Sequence, residues 1–208
     1  MLNLIFMITI AYLVGSIPTA IIYGKIFRGI DIREHGSGNA GATNVFRVMG
    51  WKSGLIVLLI DITKGLIATL FIYKIAINSV PFEPVLIQII AGLSAVFGHI
   101  WTIFAGFKGG KGVGTGAGMI IGIIPEAVLA ALIIFIITVG LTRFVSLGSV
   151  LASITIPFYL FFKKIFFQGN ISKTIMLFAL FIPILIIYTH RSNIVRLLNG
   201  TENKIKLS

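Results

Sequence analysis

The sequence predicts an all-α, polytopic integral membrane protein, and three observations carry that reading. Hydrophobic residues make up 57% of the 208 positions and charged residues only 11%, with a mean hydropathy of +1.07, far outside the composition of a soluble domain. The apolar residues gather into successive runs, and the length leaves room for several spans of about 20 residues each but for no separate soluble domain. The runs are separated by polar or turn-forming breaks such as residues 78–81, Pro125-Glu126 and Lys163-Lys164. Residues 1–208 are therefore expected to form a single membrane-embedded domain.

The first run, 2–23, has no Lys or Arg ahead of it and Lys25, Arg28 and Arg33 close behind, which predicts an N-terminus outside and a cytoplasmic first loop. A cleaved signal would need a basic start and a shorter apolar stretch, so a retained span is expected, bent near Pro18. Further runs lie at 54–73, 84–104, 113–124, 127–142, 146–162 and 174–189. The 113–124 run is short and glycine-rich, as a partly re-entrant segment would be. Seven crossings from an external N-terminus put 25–52, 105–112, Arg143 and the tail from His190 on the cytoplasmic side, with the C-terminus. Five crossings also keep 25–52, 105–112 and the tail together, and six separate them. Lys163, Lys164 and Lys173 would then lie outside, against the trend.

The 17 basic and 6 acidic residues give a net charge of +11. They are scattered between apolar runs rather than clustered on a helix or tail, which argues against a nucleic-acid partner and for contact with anionic lipid headgroups or an anionic substrate. The chain has no cysteine, which excludes disulfides, thiolate catalysis and cysteine-bound metals.

Three polar strings interrupt the hydrocarbon: residues 37–47, 98–115 and 190–202. In a lipid solvent, irregular polar backbone persists only where protein or a water-filled cavity satisfies it, so such strings mark a site. Each supplies Arg or Lys with Asn, Ser or Thr, and two supply repeated glycines whose backbone N–H groups are expected to surround an oxyanion. The expected ligand is a phosphate.

In order and spacing, the string from Ser37 to Arg47, that from Gly98-His99 to Thr115, and that from His190 through Asn193 and Arg196 to Glu202 resemble the three signature motifs of the bacterial acyl-phosphate:glycerol-3-phosphate acyltransferases, the PlsY family. The resemblance covers nearly the whole chain. It implies transfer of a fatty acyl group from acyl phosphate to the 1-hydroxyl of glycerol 3-phosphate, giving lysophosphatidate and phosphate, in phospholipid synthesis at the bacterial inner (cell) membrane, with the site facing the cytoplasm. It also implies that Ser37 and Arg47 are required, and that a basic residue of the second string and Asn193 hold the glycerol phosphate. Ser37, Arg47, Lys108, His190 and Asn193 are accordingly the candidate catalytic residues. Gly38, Asn39, Thr43, Asn44, Gly109, Gly110, Lys111 and Gly112 join them as candidate substrate-binding residues.

These residue types suit the task. Arg47 can donate two parallel charge-assisted hydrogen bonds to a phosphate, Lys108 and Lys111 are point charges beside glycines, and Asn193 can donate to the phosphate or position a hydroxyl. His190 can donate to substrate or orient Asn193. Ser37 can bond substrate or brace its loop. An acyl phosphate is already activated, so the protein's task is alignment and charge stabilisation.

Six carboxylates, Asp31, Glu34, Asp61, Glu83, Glu126 and Glu202, form no evident acid/base pair in the strings, so a substrate phosphate oxygen is the favoured proton acceptor. The H-x-x-x-x-D pair of other glycerolipid acyltransferases is absent, because Ala40, Phe104 and Val195 stand five positions after the three histidines. A Walker A loop fails at Ala105 and Gly112. No cofactor and no metal are expected.

Blander readings stand beside these. Glycines through 109–122 also suit close helix packing, and His99 suits a packed, hydrogen-bonded residue. Glu202 suits a pair with Arg196. Asp61 and Lys64 lie three apart on one helix face and are expected to form an internal ion pair, or else a cation and its orienting carboxylate at a cavity edge. The rival function is an organophosphate transporter or anion-binding membrane protein, which would need a charged path to both sides and often shows internal repeats. No convincing repeat is found.

Overall fold

The computed structural model describes residues 1–77, 79–167 and 169–205. Among them every regular element is helical: ten α-helices and three short 3-10 turns. The chain divides into two compact units, Met1–Ile123 and Ile124–Ser208.

The first unit is built from α1 (Leu2–Ser16), α2 (Thr19–Arg28), α3 (Ala42–Met49), α4 (Trp51–Leu70), α5 (Pro84–Ile100) and α6 (Val113–Ile123). The predicted bend is a helix break at Ile17-Pro18, where proline supplies no N–H to continue the ladder. Small residues set the packing. On α1 and α5, a Cβ at Gly15 would sit 2.0 Å from the Ala95 carbonyl oxygen, and one at Gly98 would sit 2.1 Å from that of Tyr12. On α4 and α6 the corresponding distances are 2.0 Å from Gly65 to the Thr115 oxygen and 1.9 Å from Gly118 to the Ile62 oxygen. Backbone therefore meets backbone along both seams. Such contact drives helix association where lipid removes the hydrophobic incentive, so the packing reading holds for Gly118, whereas a Cβ at Gly116 would meet nothing within 4 Å. Leu4, Met7, Ala11, Ala68, Ile87, Ala91 and Ala95 fill the space between α1, α4 and α5.

The second unit contains α7 (Pro125–Thr142), α8 (Val145–Phe166), α9 (Lys173–Thr189) and α10 (Arg191–Leu198). Arg143, at φ +64°, ends α7 in a left-handed turn, and α8 begins two residues later. At the opposite ends of the same two helices, Lys163 pairs with Glu126. A carboxylate in the first turn of α7 and an ammonium in the last turn of α8 also complement the two helix dipoles.

Among the described residues, five segments are long and apolar enough to cross a membrane: Leu2–Arg28, Trp51–Ile75, Pro84–Ala105, Pro125–Thr142 and Val145–Phe166. A sixth arises if α9 and α10, bent by 65°, count as one span. All seven apolar runs are helical, but α6 has 11 residues. At about 1.5 Å per residue that is roughly 16 Å, half the hydrocarbon thickness. Length and composition thus support five crossings, the alternative that the sequence allowed beside seven, or six if the bent pair is one span. Large apolar side chains such as Leu59, Leu129, Ile136 and Phe158 are exposed, as expected when the surrounding solvent is lipid.

Candidate active site

The first two polar strings lie in the first unit and are tied together. Asp31 caps the turn Ile32–Glu34 by accepting from the Arg33 backbone N–H at 3.0 Å. Its carboxylate also takes a two-pronged grip from the Arg33 guanidinium, Nε at 3.1 Å and Nη2 at 2.7 Å. That hydrogen-bonded guanidinium holds the Asp31 carboxyl at a pKa of about 2 against an ordinary 3.8. The remaining Arg33 arm, Nη1, donates to the Ala105 carbonyl at 3.1 Å, joining the loop ahead of Ser37 to the loop ahead of Lys108. Asp31 and Arg33 were not among the candidate residues, although the Asp-x-Arg spacing was legible.

Asn44 is a brace. It is 1% exposed, its Oδ1 accepts from the Ser37 backbone N–H at 2.8 Å, and its Nδ2 donates to the Ile32 and His35 carbonyls at 2.9 and 3.0 Å. Both amide protons are thus spent on the loop, so the expected role in substrate binding gives way to one in shaping it. Gly36, at φ +62°, fits only as glycine, because a Cβ would lie 2.4 Å from Asn44 Oδ1. Ser37 and Gly38 are exposed at the loop tip, and Asn39, Thr43 and Arg47 are half-buried. Thr43 and Arg47, one helical turn apart on α3, share a face while Asn44 turns inward.

In the second string the chain leaves α5 and passes through the turn Ile103–Ala105. Gly106 and Phe107 follow in left-handed geometry at φ +63° and +59°. The chain then folds back on the helix it left. Gly109 N–H donates to the Ile100 carbonyl and Gly110 N–H to the His99 carbonyl, both at 3.0 Å. These bonds satisfy carbonyls that a helix C-terminus leaves orphaned. Here the structure corrects the sequence expectation: the Gly109 and Gly110 amides face α5, not an oxyanion. Glycine is needed because a Cβ at Gly109 would lie 2.0 Å from the His99 oxygen. Lys108 is exposed and Lys111 half-buried, and Gly112, at φ +83°, leads into α6.

The third string occupies the second unit. His190 and Asn193, one turn apart and 3% and 6% exposed, face inward at the α9–α10 bend. His190 Nδ1 lies 2.9 Å from the Ile186 carbonyl oxygen. A carbonyl only accepts, so this nitrogen carries the proton, and in the neutral ring Nε2 is the acceptor. The Glu202 carboxylate accepts from Asn193 Nδ2 at 2.7 Å, from Ser146 Oγ at 2.8 Å and from Arg196 Nε at 2.8 Å. Burial pushes the Glu202 carboxyl upward, but these three donors outweigh it and hold the group below its ordinary value. The expected Glu202–Arg196 pair is present. Ser146, which no string contains, was missed.

A multi-span helical membrane protein with basic, loop-built polar strings is the class these features define. A sequence model of the glycerol-3-phosphate acyltransferase family matches residues 5–200. Among relatives named glycerol-3-phosphate acyltransferase, that of Chlorobaculum tepidum is 47% identical and that of Chlorobaculum parvum 48%, each alignment covering 99% of this chain and 97% of the relative. The chain also superposes on crystal structures of PlsY (YgiH), an integral membrane glycerol 3-phosphate acyltransferase. The TM-score is 0.83 for its glycerol 3-phosphate form and 0.81 for its lysophosphatidic acid form, at 36% identity, over 98% of this chain and 96% and 95% of those. The chain belongs to the glycerol-3-phosphate acyltransferase family, as the resemblance of its three strings implied.

Proposed function

We propose that this protein acylates the 1-hydroxyl of glycerol 3-phosphate with acyl phosphate as donor, releasing lysophosphatidate and inorganic phosphate. The observation that carries the reading is the bond from Arg33, in the loop leading into the first string, to Ala105 of the second. It supports Arg47, Lys108 and Lys111 acting on one anionic substrate pair. With the Gly109 and Gly110 amides engaged, backbone donation to phosphate falls to the N-terminus of α6, which begins two residues after Lys111 and whose dipole favours an anion. The acceptor hydroxyl oxygen forms the new ester as the bond between acyl carbon and phosphate oxygen breaks, and the hydroxyl proton passes to a phosphate oxygen of the substrate.

Arg47 clamps phosphate in two-pronged fashion, Ser37 bonds substrate from the loop tip, and Lys108 and Lys111 offset the charge of the two substrates. Gly38, Asn39, Thr43, Gly109, Gly110 and Gly112 shape this region. His190 and Asn193 are carried as further substrate-contacting residues on the strength of the resemblance. Both units serve one membrane domain in a bacterial inner membrane, with N-terminus outside and with the three strings and the C-terminus facing the cytoplasm.

The purified protein, given long-chain acyl phosphate and glycerol 3-phosphate in the presence of a chelator and without ATP or acyl carrier, should form lysophosphatidate and phosphate in equal amounts. Strict dependence on acyl-CoA or on a divalent ion would refute the donor assignment.

A further inference from the structure

The first unit holds a buried polar node outside the strings' proposed chemistry. Asp61 and Lys64 on α4 and His99 near the end of α5 are 3%, 4% and 8% exposed. Lys64 Nζ lies 2.7 Å from Asp61 Oδ1 and donates to the Ile17 carbonyl at 2.9 Å, at the break between α1 and α2. His99 Nδ1 lies 3.6 Å from the same Asp61 oxygen. Charges at this depth are costly and persist only with partners. An ion pair that merely held α4 in register would need only Asp61 and Lys64. Here the node continues through His99 into the second string.

His99 grips that string twice. Its carbonyl accepts the Gly110 N–H at 3.0 Å. Its ring lies so close that a Cβ at Gly110 would be 2.2 Å from Nε2. Gly109-Gly110 is the most flexible dipeptide available, and it joins Lys108 to Lys111. Left loose, these residues would have to be ordered each time an anion bound, which weakens affinity.

We infer that His99, oriented by Asp61 with Lys64 as counter-ion, is a positioning residue that fixes the loop between Lys108 and Lys111 for the acceptor's phosphate. The inference rests on the reading that this loop receives glycerol 3-phosphate. It assigns the buried node an effect on acceptor affinity rather than on the chemical step.

The test replaces His99→Leu and follows both steady-state kinetics and equilibrium binding of glycerol 3-phosphate without donor. Half-saturation and dissociation constants should rise about tenfold or more, roughly 1.4 kcal/mol per tenfold, with turnover at saturation within about threefold. His99→Gln, whose amide retains a polar group beside Asp61, should recover most of the affinity. Gly148→Ala, which drives a methyl against Val139 and Phe135 between α7 and α8, should lower thermal stability and leave acceptor affinity unmoved. If His99→Leu yields no folded protein, the neutralised pair Asp61→Asn with Lys64→Gln is read in the same way. Unchanged affinity in a folded variant, or an equal loss in Gly148→Ala, overturns the inference. Wild-type protein that binds glycerol 3-phosphate but transfers no acyl group would defeat the donor reading, and the clamp would then be judged on the binding series alone.

Discussion

Glu202 offers the sharpest quantitative test. Its side chain is 2% exposed and receives Asn193, Ser146 and Arg196 at 2.7, 2.8 and 2.8 Å. Hydrogen bonds to a charged group contribute roughly 1.5–3 kcal/mol each, but not additively. Arg196 is 37% exposed and recovers hydration when the carboxylate goes, whereas the Asn193 and Ser146 donors, each 6% exposed, lose this acceptor away from water. Glu202→Ala should therefore cost about 3–5 kcal/mol of local stability, the range for breaking a buried charged contact. Glu202→Gln keeps one acceptor oxygen and the shape, and should cost about 1–3 kcal/mol. Amide hydrogen exchange over residues 190–202 reads this directly. A loss of 3–5 kcal/mol speeds opening by about two to three and a half orders of magnitude, with Gln intermediate. Exchange in Glu202→Ala within about fivefold of wild type would refute the reasoning.

Further outcomes follow from the same geometry. Arg47→Lys keeps the charge but loses the fork, so turnover should fall by about tenfold or more in folded protein; near-normal kinetics would remove Arg47 from the site. Asn44→Asp keeps the acceptor for Ser37 N–H but sets a carboxylate against the Ile32 and His35 carbonyls, so exchange across 32–37 should quicken and activity should drop; unchanged exchange would mean the brace is dispensable. The Asp31 carboxyl is depressed to about 2 from 3.8, so its stabilisation of the first loop is complete above pH 3.8 and is lost as the pH falls toward 2. Melting of wild type should decline across that window more steeply than that of Asp31→Asn, and parallel curves would defeat the assignment.

Much of this was legible in the sequence, for physical reasons that differ by element. Long apolar runs announce spans because hydrocarbon admits little else, and Pro18 announced its break because proline cannot donate. The Asp61–Lys64 pair was legible from spacing and cost. The second string was harder, since glycine serves an oxyanion and a close backbone contact equally well. Only coordinates reveal that Gly109 and Gly110 spend their amides on Ile100 and His99. Asn44 was misread for the same reason: an amide beside Arg47 has the same letters whether it meets substrate or loop. Ser146 had no signal, because its partner Glu202 lies 56 residues away. The α6 run was read as partly re-entrant from its glycines, and its 11 residues agree with a segment too short to cross.

A division of labour among polar residues connects these corrections. Irregular backbone near hydrocarbon must be satisfied from within the protein, and each string meets that demand with neutral or anionic groups. Asn44 closes the first, α5 carbonyls close the second, and Glu202 closes the third. Asp31 and Glu202 also neutralise Arg33 and Arg196, which makes those two arginines parts of the framework. On the proposed function, the anion-binding work belongs to Arg47, Lys108 and Lys111, cations set on a helix and a loop shaped by these contacts. If that division holds, removing a brace should raise the acceptor's half-saturation constant through disorder. Altering Arg47 should instead lower turnover, because it acts where charge is redistributed between the two phosphates.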